Sequence, residues 1–459
     1  MMTSLRLKQF LFAFFFLFST LSSESITNEK LIEEFHHYLN LAETQLKHYQ
    51  LEESIQNAKT SIKFGLEYYN GYTIELFDPY NIIGLAYYSL GYYEKALDTF
   101  LTAENILTSN HLDNHISYGI LFNNIGLTYE RLARYEYAKF YLDESLKIKE
   151  QILEEDNLSF ASTYNSMGLL QYSLGNYDEA LHYYILASEI RRKNISEDSL
   201  LVAQCYNNMG IVYQSKGNYS DAYKYFNKAL KIKEKLKDLD MPSLATSLNG
   251  AAELYYRLGK YQRSEKLYKH SLRIKKRFFG NKHPDIAVIY NGLGNCYYSQ
   301  GKYSLARKQY QKAYEIRKNF FIKTHPQIAK LYNNIANIYE MTGHPELSEK
   351  MHKKALSLKY KHLGKEHPSV TNSLENLAVH YDNHNQVDKA IQLTLLSLKI
   401  RSKLFGEKSR PLIATYKKLR DFYSEKKDYK TAKEYEAKLK YLENIFPSED
   451  KSIILIKTN

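Results

Sequence analysis

The sequence predicts an all-α solenoid built from helix–turn–helix repeats, and three observations predict it. A single 42-residue period runs through most of the 459 residues. A small residue recurs at Gly84, Gly126, Gly168, Gly210, Ala252, Gly294, Ala336 and Ala378, and a second follows twelve positions later at Ala96, Ala138, Ala180, Ala222, Ser264, Ala306, Ser348, Ala390 and Ala432. Between the two falls Gly91, Gly175, Gly217, Gly259, Gly301 or Gly343, usually with Tyr two positions on. A fixed period of this length marks an array in which each repeat packs on its neighbours, so length does not translate into a domain count.

The chain opens on a nine-residue apolar run, Phe10 to Phe18, preceded by Arg6 and Lys8 and followed by small polar residues. Nine residues fall well short of the roughly 20 that a helix needs to cross a bilayer. The pattern reads as a secretory signal peptide over 1–22, with cleavage after Ser22 or Ser23; an uncleaved anchor or a buried N-terminal helix is the other reading. The expected location is therefore exported: periplasmic, secreted or attached to the envelope. Residues 23–77 read as a helical segment holding a degenerate repeat around Ala42, Ser54 and Ala58.

Nine repeats follow over 78–445. In the repeat that starts near Pro284, Ile286, Tyr290, Leu293, Gly294 and Tyr297 keep a 3.6-residue stripe, and Tyr303, Ala306, Tyr310, Ala313 and Tyr314 keep another after Gly301. Small residues let paired helices approach, and Tyr rings fill the space beside them. Tyr recurs in three registers, those of Tyr80, Tyr87 and Tyr93, which together hold 21 of the 44 tyrosines, so much of this content is expected in the core. Proline keeps the period at Pro242, Pro284, Pro326 and Pro368, where a first helical turn loses nothing by the missing N–H. His283, His325 and His367 precede three of these prolines and are expected to serve in loops or as N-terminal caps. The last repeat drifts, with Arg420 at the small position and Lys427 at the turn, and its charged final helix suits a solvated cap. Residues 446–459 read as a short tail.

Composition excludes several classes. The chain is 44% hydrophobic and 25% charged, with mean hydropathy −0.51, which argues against global disorder and a multi-span membrane protein. Net charge is +12, or +10 without residues 1–22, with 63 Lys and Arg interspersed among 51 acids. That favours a solvated surface, and an acidic partner, over nucleic-acid binding. Cys205 and Cys296 stand in different repeats and registers, so two buried thiols are expected rather than a disulfide. No metal-type spacing of Cys or His stands in the sequence, and no cofactor is expected. There is no phosphate-cradling Gly loop, HExxH or nucleophile elbow, and the chain reads as no enzyme. Sequons stand at Asn157, Asn194 and Asn218.

G-x-x-Y, a turn Gly and then Y-x-x-A resemble the tetratricopeptide repeat, and the segments GNKHPDIA, FIKTHPQIA and GKEHPSV are similar to those of its kinesin light chain class. The resemblance implies a right-handed superhelix whose first helices line a concave groove, and a role in binding protein or peptide segments. Kinesin light chains carry a heptad coiled coil ahead of their repeats. An export signal in that place argues against transport of cytosolic cargo.

Two ladders keep the period. Asn81, Asn123, Asn165, Asn207, Asn249, Asn291 and Asn333 stand three residues before the small residue of the first helix, doubled by Asn124, Asn208 and Asn334. Asn costs about 0.6 kcal/mol against Ala in a helix, so seven sacrifice roughly 4 kcal/mol of propensity, and something should compensate. On the tetratricopeptide resemblance this register faces the groove, where carboxamides could hold the backbone of an extended peptide; bridges between adjacent helices are the alternative. The second ladder is Lys149, Arg191, Lys233, Lys275, Arg317, Lys359 and Arg401, near the ends of the second helices. Cations there complement the helix dipole and free carbonyls, or else form an electrostatic rim for acidic peptides. The function expected is a non-catalytic protein- or peptide-binding scaffold or adaptor; the alternative is a structural or regulatory component of an envelope or secreted assembly, using its convex face or ends.

Overall fold

The computed structural model describes residues 27–110, 115–236, 241–320 and 326–446. The signal-peptide reading over 1–22 and the tail beyond Phe446 lie outside these residues, as does His325. The described chain is α-helical, in order α1 (27–47), α2 (Leu51–Tyr69), a short 3-10 turn (Ile74–Leu76), α3 (Phe77–Leu90), α4 (Tyr93–Ser109), α5 (Ile116–Arg131), α6 (Tyr135–Ile152), α7 (Leu158–Leu174), α8 (Tyr177–Asn194), α9 (Leu200–Lys216) and α10 (Tyr219–Lys235). It continues with α11 (Met241–Arg257), α12 (Tyr261–Phe279), α13 (Pro284–Ser299), α14 (Tyr303–Phe320), α15 (Pro326–Met341), α16 (Pro345–Leu363), α17 (Pro368–Asn383), α18 (Val387–Phe405), α19 (Pro411–Glu425) and α20 (Tyr429–Ile445). No described helix is long and apolar enough to cross a membrane. The chain divides into two compact units between Thr128 and Tyr129.

One turn joins the helices of each repeat. In the N-terminal unit Tyr92 N–H donates to Tyr87 O at 2.9 Å, five residues back, and Gln50 does the same to Gln45 at 2.9 Å. In the C-terminal unit Arg134 to Tyr129, Asn176 to Gln171, Lys302 to Tyr297 and Asp428 to Tyr423 repeat it at 2.9 Å. This i to i−5 bond closes a Schellman turn and requires a left-handed residue just before the donor. Glycine supplies it at Gly91, Gly175, Gly217, Gly259, Gly301 and Gly343, but Tyr49, Ala133, Asn385 and Lys427 take the same conformation at φ of 59°, 57°, 59° and 63°. The turn thus survives where its glycine is gone.

Within a repeat the small residue of the first helix receives a large side chain from sixteen positions later. A Cβ on Gly84 would lie 2.3 Å from the Phe100 ring, and one on Gly294 would lie 2.4 Å from Tyr310. Gly168 faces Tyr184 and Gly210 faces Phe226 in the same way. These rings are among the most deeply buried side chains of the protein, and truncating one would cost about 3–5 kcal/mol. They occupy a fourth register, beyond the three in which Tyr recurs most often. Toward the C-terminus the pairing turns polar: Ala336 has His352, Ala378 has Thr394, and Arg420 forms an ion pair with Glu436 at 3.0 Å.

At two of the serines in the second small position the hydroxyl spans the helix pair. Ser264 Oγ donates to Ala252 O at 2.6 Å, and Ser54 Oγ donates to Ala42 O at 2.7 Å. The degenerate first repeat therefore packs by the same contact as the regular ones. Cys205 and Cys296 are free and buried. His283 Nδ1 accepts from Asp285 N–H and His367 Nδ1 from Ser369 N–H, each at 3.1 Å, so both cap the helices that follow them.

Candidate interaction surface

In the C-terminal unit each second helix from α8 to α18 packs on the first helix of its own repeat and on that of the next, while the first helices also touch one another in series, α7 with α9, α9 with α11, α11 with α13, α13 with α15 and α15 with α17. Elements that approach most closely lie inside the bend, so the first helices form the inner face. The bend is tight enough to bring distant repeats together. His362 Nε2 lies 3.0 Å from Leu132 O, and the His367 ring stacks on Tyr135 with centroids 5.6 Å apart. The turn at Gly175 meets Pro368 and Phe405, and that at Gly217 meets Arg410.

Charged and phenolic groups converge on this inner face. Asn249, Glu253 and Arg257 follow one another at four-residue intervals on one face of α11, and Arg257 Nε donates to Glu253 at 2.8 Å. Burial works against the Arg257 charge, but the charge and hydrogen bond of Glu253 outweigh it and raise the guanidinium pKa. Two repeats away on α15, Lys330 is accessible to solvent, yet the surrounding protein lowers its pKa; Glu253 opposes that shift while Arg317 and Arg257 add to it. Tyr172 on α7 has its phenol pKa raised, first by burial, and it too senses Glu253 and Arg257. Tyr172 and Lys330 are thus each coupled to the Glu253–Arg257 pair, whose carboxylate also accepts from the buried Tyr268 hydroxyl at 2.8 Å.

Both ladders lie largely inside the fold, on the structural rather than the binding side of the alternatives that the sequence leaves open. The cationic residues are not a rim: Lys149, Arg191, Lys233, Lys275, Arg317, Lys359 and Arg401 are all buried, none more than 8% exposed. Each reaches across the connection between repeats to the residue ten positions on. Lys149 donates to Ser159 O at 3.0 Å, Arg191 to Leu201 O at 2.7 Å, Lys233 to Ser243 O at 3.1 Å, Arg317 to Gln327 O at 2.7 Å, Lys359 to Ser369 O at 2.6 Å and Arg401 to Pro411 O at 3.3 Å. Lys275 takes the Asp285 carboxylate instead, at 2.9 Å. The reason is geometric. The second helix ends against the first turn of the next first helix, and a long stem fills that gap while its head finds an oxygen. Burial pushes Lys149 down to about 8 and Arg317 to about 10; burial, with the Lys330 charge, takes Lys359 to about 7.

The asparagine ladder is likewise not a row of open carboxamides. Asn208 Nδ2 donates to Asn165 Oδ1 at 3.0 Å and Asn334 Nδ2 to Asn291 Oδ1 at 2.7 Å; in the N-terminal unit Asn124 donates to Asn81 at 3.1 Å. Asn333 donates to Ser373 Oγ at 2.8 Å and accepts from His352 Nδ1 at 3.0 Å. Asn123, Asn207, Asn291 and Asn333 are buried, leaving Asn81, Asn165 and Asn249 half-buried. Bridging offsets the lost helix propensity at Asn81, Asn165, Asn291 and Asn333, whereas the buried Oδ1 atoms of Asn123, Asn207 and Asn249 find no hydrogen-bond partner among the described residues.

One constellation escapes the sequence analysis. Glu340 Oε2 lies 2.7 Å from His380 Nδ1, and its Oε1 lies 2.8 Å from His384 Nε2. His380 and His384, four apart at the end of α17, are the signal that could have revealed it.

Comparison with known proteins agrees with this architecture. Tetratricopeptide repeat models match residues 75–151, 159–235 and 243–319, and a further one matches 328–369. A search of curated proteins returned no match. Among solved structures, Rap protein complexed with Competence and Sporulation Factor is similar at 13% identity and TM-score 0.59, over 81% of this chain and 98% of that one. The IFIT1 monomeric mutant with Gppp-AAAA is similar at 17% identity and TM-score 0.50, over 88% and 90%. The putative kinesin light chain repeats of Podosopora anserina are similar at 20% identity and TM-score 0.36, over 45% and 98%. With the period, the Schellman turns and the small-to-large pairing all in register, the chain belongs to the tetratricopeptide repeat family.

Proposed function

We propose that this protein is a non-catalytic scaffold that holds an extended protein or peptide segment against the inner face of its C-terminal unit. The observation that carries the reading is the Glu253–Arg257 pair on first helix α11, to which Tyr172 and Lys330 are each electrostatically coupled, with half-buried Asn249 one turn from Glu253. Charges of both signs and a carboxamide can pair with side chains and peptide groups of a bound segment, and preorganisation by neighbouring helices limits the entropy lost. The partner is taken to be protein rather than nucleic acid, since the cationic ladder is spent inside the fold. The proposal includes export directed by residues 1–22.

A second reading rests on Tyr137 and Phe140, which are 59% and 58% exposed on α6, a second helix. A large apolar pair on the outer side suits docking into an assembly. The experiment installs a photocrosslinking amino acid at position 249 or at position 140 in the native host. Crosslinks from 249 that disappear in the Glu253→Lys, Arg257→Glu double variant, with its melting temperature unchanged, support the inner-face reading. Crosslinks from 140 alone, unaffected by that double variant, replace it with the assembly reading.

A further inference from the structure

We propose that Glu340, His380 and His384 form a binding site for a divalent transition metal of the zinc class, joining the first helices of two consecutive repeats. Glu340 stands near the end of α15; His380 lies in the last turn of α17 and His384 caps that helix. One ligand atom from each residue lies within 4.8 Å of the other two. The i, i+4 spacing turns both imidazoles toward the same side of α17, and the neighbouring α15 brings the carboxylate between them.

The donor set selects the ion. Two imidazole nitrogens and one carboxylate oxygen suit Zn²⁺, Co²⁺ or Ni²⁺, whereas Mg²⁺ and Ca²⁺ prefer oxygen ligands throughout. As the site stands, each imidazole nitrogen that faces Glu340 is within hydrogen-bond distance of one of its oxygens. To bind the ion, a neutral imidazole moves its proton to the other ring nitrogen and offers the freed lone pair, so no net proton is released. Access is open on one side: His380 is buried, but His384 and Glu340 keep 34% and 18% of their side-chain surface. An entering ion would bring solvent for its remaining positions, as a three-ligand site requires. His352, its ring 6.2 Å from that of His380, is bonded to Asn333 and supports the buried side of the cluster.

The test uses the full chain with any affinity tag removed. Co²⁺ should produce visible d–d absorption that Zn²⁺ abolishes by displacement, with one equivalent bound by calorimetry, and Zn²⁺ but not Mg²⁺ should raise the melting temperature. His384→Gln and Glu340→Gln, both at accessible positions, should keep the wild-type circular dichroism and weaken Zn²⁺ binding by more than about tenfold. His270→Gln, at an exposed histidine on α12, should leave binding unchanged. Wild-type protein without Co²⁺ bands and without a Zn²⁺-dependent melting shift overturns the proposal, and so does wild-type affinity in the folded His384→Gln and Glu340→Gln variants.

Discussion

Asn208 donates its side-chain amide to Asn165 across 43 residues of sequence and 3.0 Å of space, and Asn334 stands to Asn291 in the same relation at 2.7 Å. The doubled asparagine of one first helix is the donor and the ladder asparagine of the preceding one is the acceptor. A double-mutant cycle over Asn165→Ala and Asn208→Ala should show a coupling of about 0.5–1.5 kcal/mol in urea unfolding. Additive effects, or a gain of stability from the better helix former, would return the ladder to a role in binding.

The buried cations should behave as parts of the core. Lys233→Ala removes both the bond to Ser243 O and the stem that fills the joint between α10 and α11, at an expected cost of about 2–4 kcal/mol. Lys233→Met keeps the stem and should cost less. Lys231→Ala, at an exposed position two residues away on the same helix, should change stability by no more than about 0.5 kcal/mol. Equal denaturation midpoints for Lys233→Ala and Lys231→Ala would contradict the staple.

The left-handed turn yields a stabilising substitution. Ala133 and Lys427 hold φ of 57° and 63°, where a side chain costs roughly 1–2 kcal/mol. Replacing either with Gly relieves that strain, and after the greater unfolded-state entropy of Gly the net gain should be about 0.5–1 kcal/mol. Gly301→Ala should lose a similar amount, since a Cβ there meets no atom within 4 Å and only the backbone objects. Thermal unfolding of the three variants checks both signs.

His367 should make the C-terminal unit sensitive to acid. Burial, and next the Lys359 charge, lower its pKa to about 4, and its unprotonated Nδ1 is the acceptor that caps α17. A folded pKa below the unfolded value near 6.5 means that the contribution is complete above pH 6.5 and is lost as pH falls through 4. His367→Asn retains a capping oxygen without a titrating group. Its stability should decline less than that of wild type between pH 6.5 and 4, measured by urea midpoints; parallel curves would rule out this cap as the sensor.

Much of the fold was legible because the period repeats each contact. Gly84, Gly168 and Gly294 marked the close approach of paired helices, and Pro284 and Pro368 marked where first helices begin. The turn at Lys427 was harder to read, since the residue type no longer states the conformation that the Schellman bond to Tyr423 imposes. At Arg420 the sequence signalled a departure, but not that Glu436 would replace the usual ring with an ion pair. The ladders were legible as ladders, and their register located them on the helices. What each side chain reached was not legible, because Lys149 and Asn165 find their partners in the next repeat.

By itself, the sequence determined the helices, the turns, the pairing of helices within each repeat and the places where proline, glycine and the capping histidines punctuate the chain. These depend on neighbours within one 42-residue period, so local propensity and spacing suffice. Only the tertiary structure decided that the cations lie inside, that Asn208 and Asn334 reach back to Asn165 and Asn291, that His362 returns to Leu132, and that Glu340 meets His380 and His384. Those outcomes depend on how far each repeat is rotated on the one before it. That rotation is the sum of many side-chain contacts between repeats, and no single residue in the period states it.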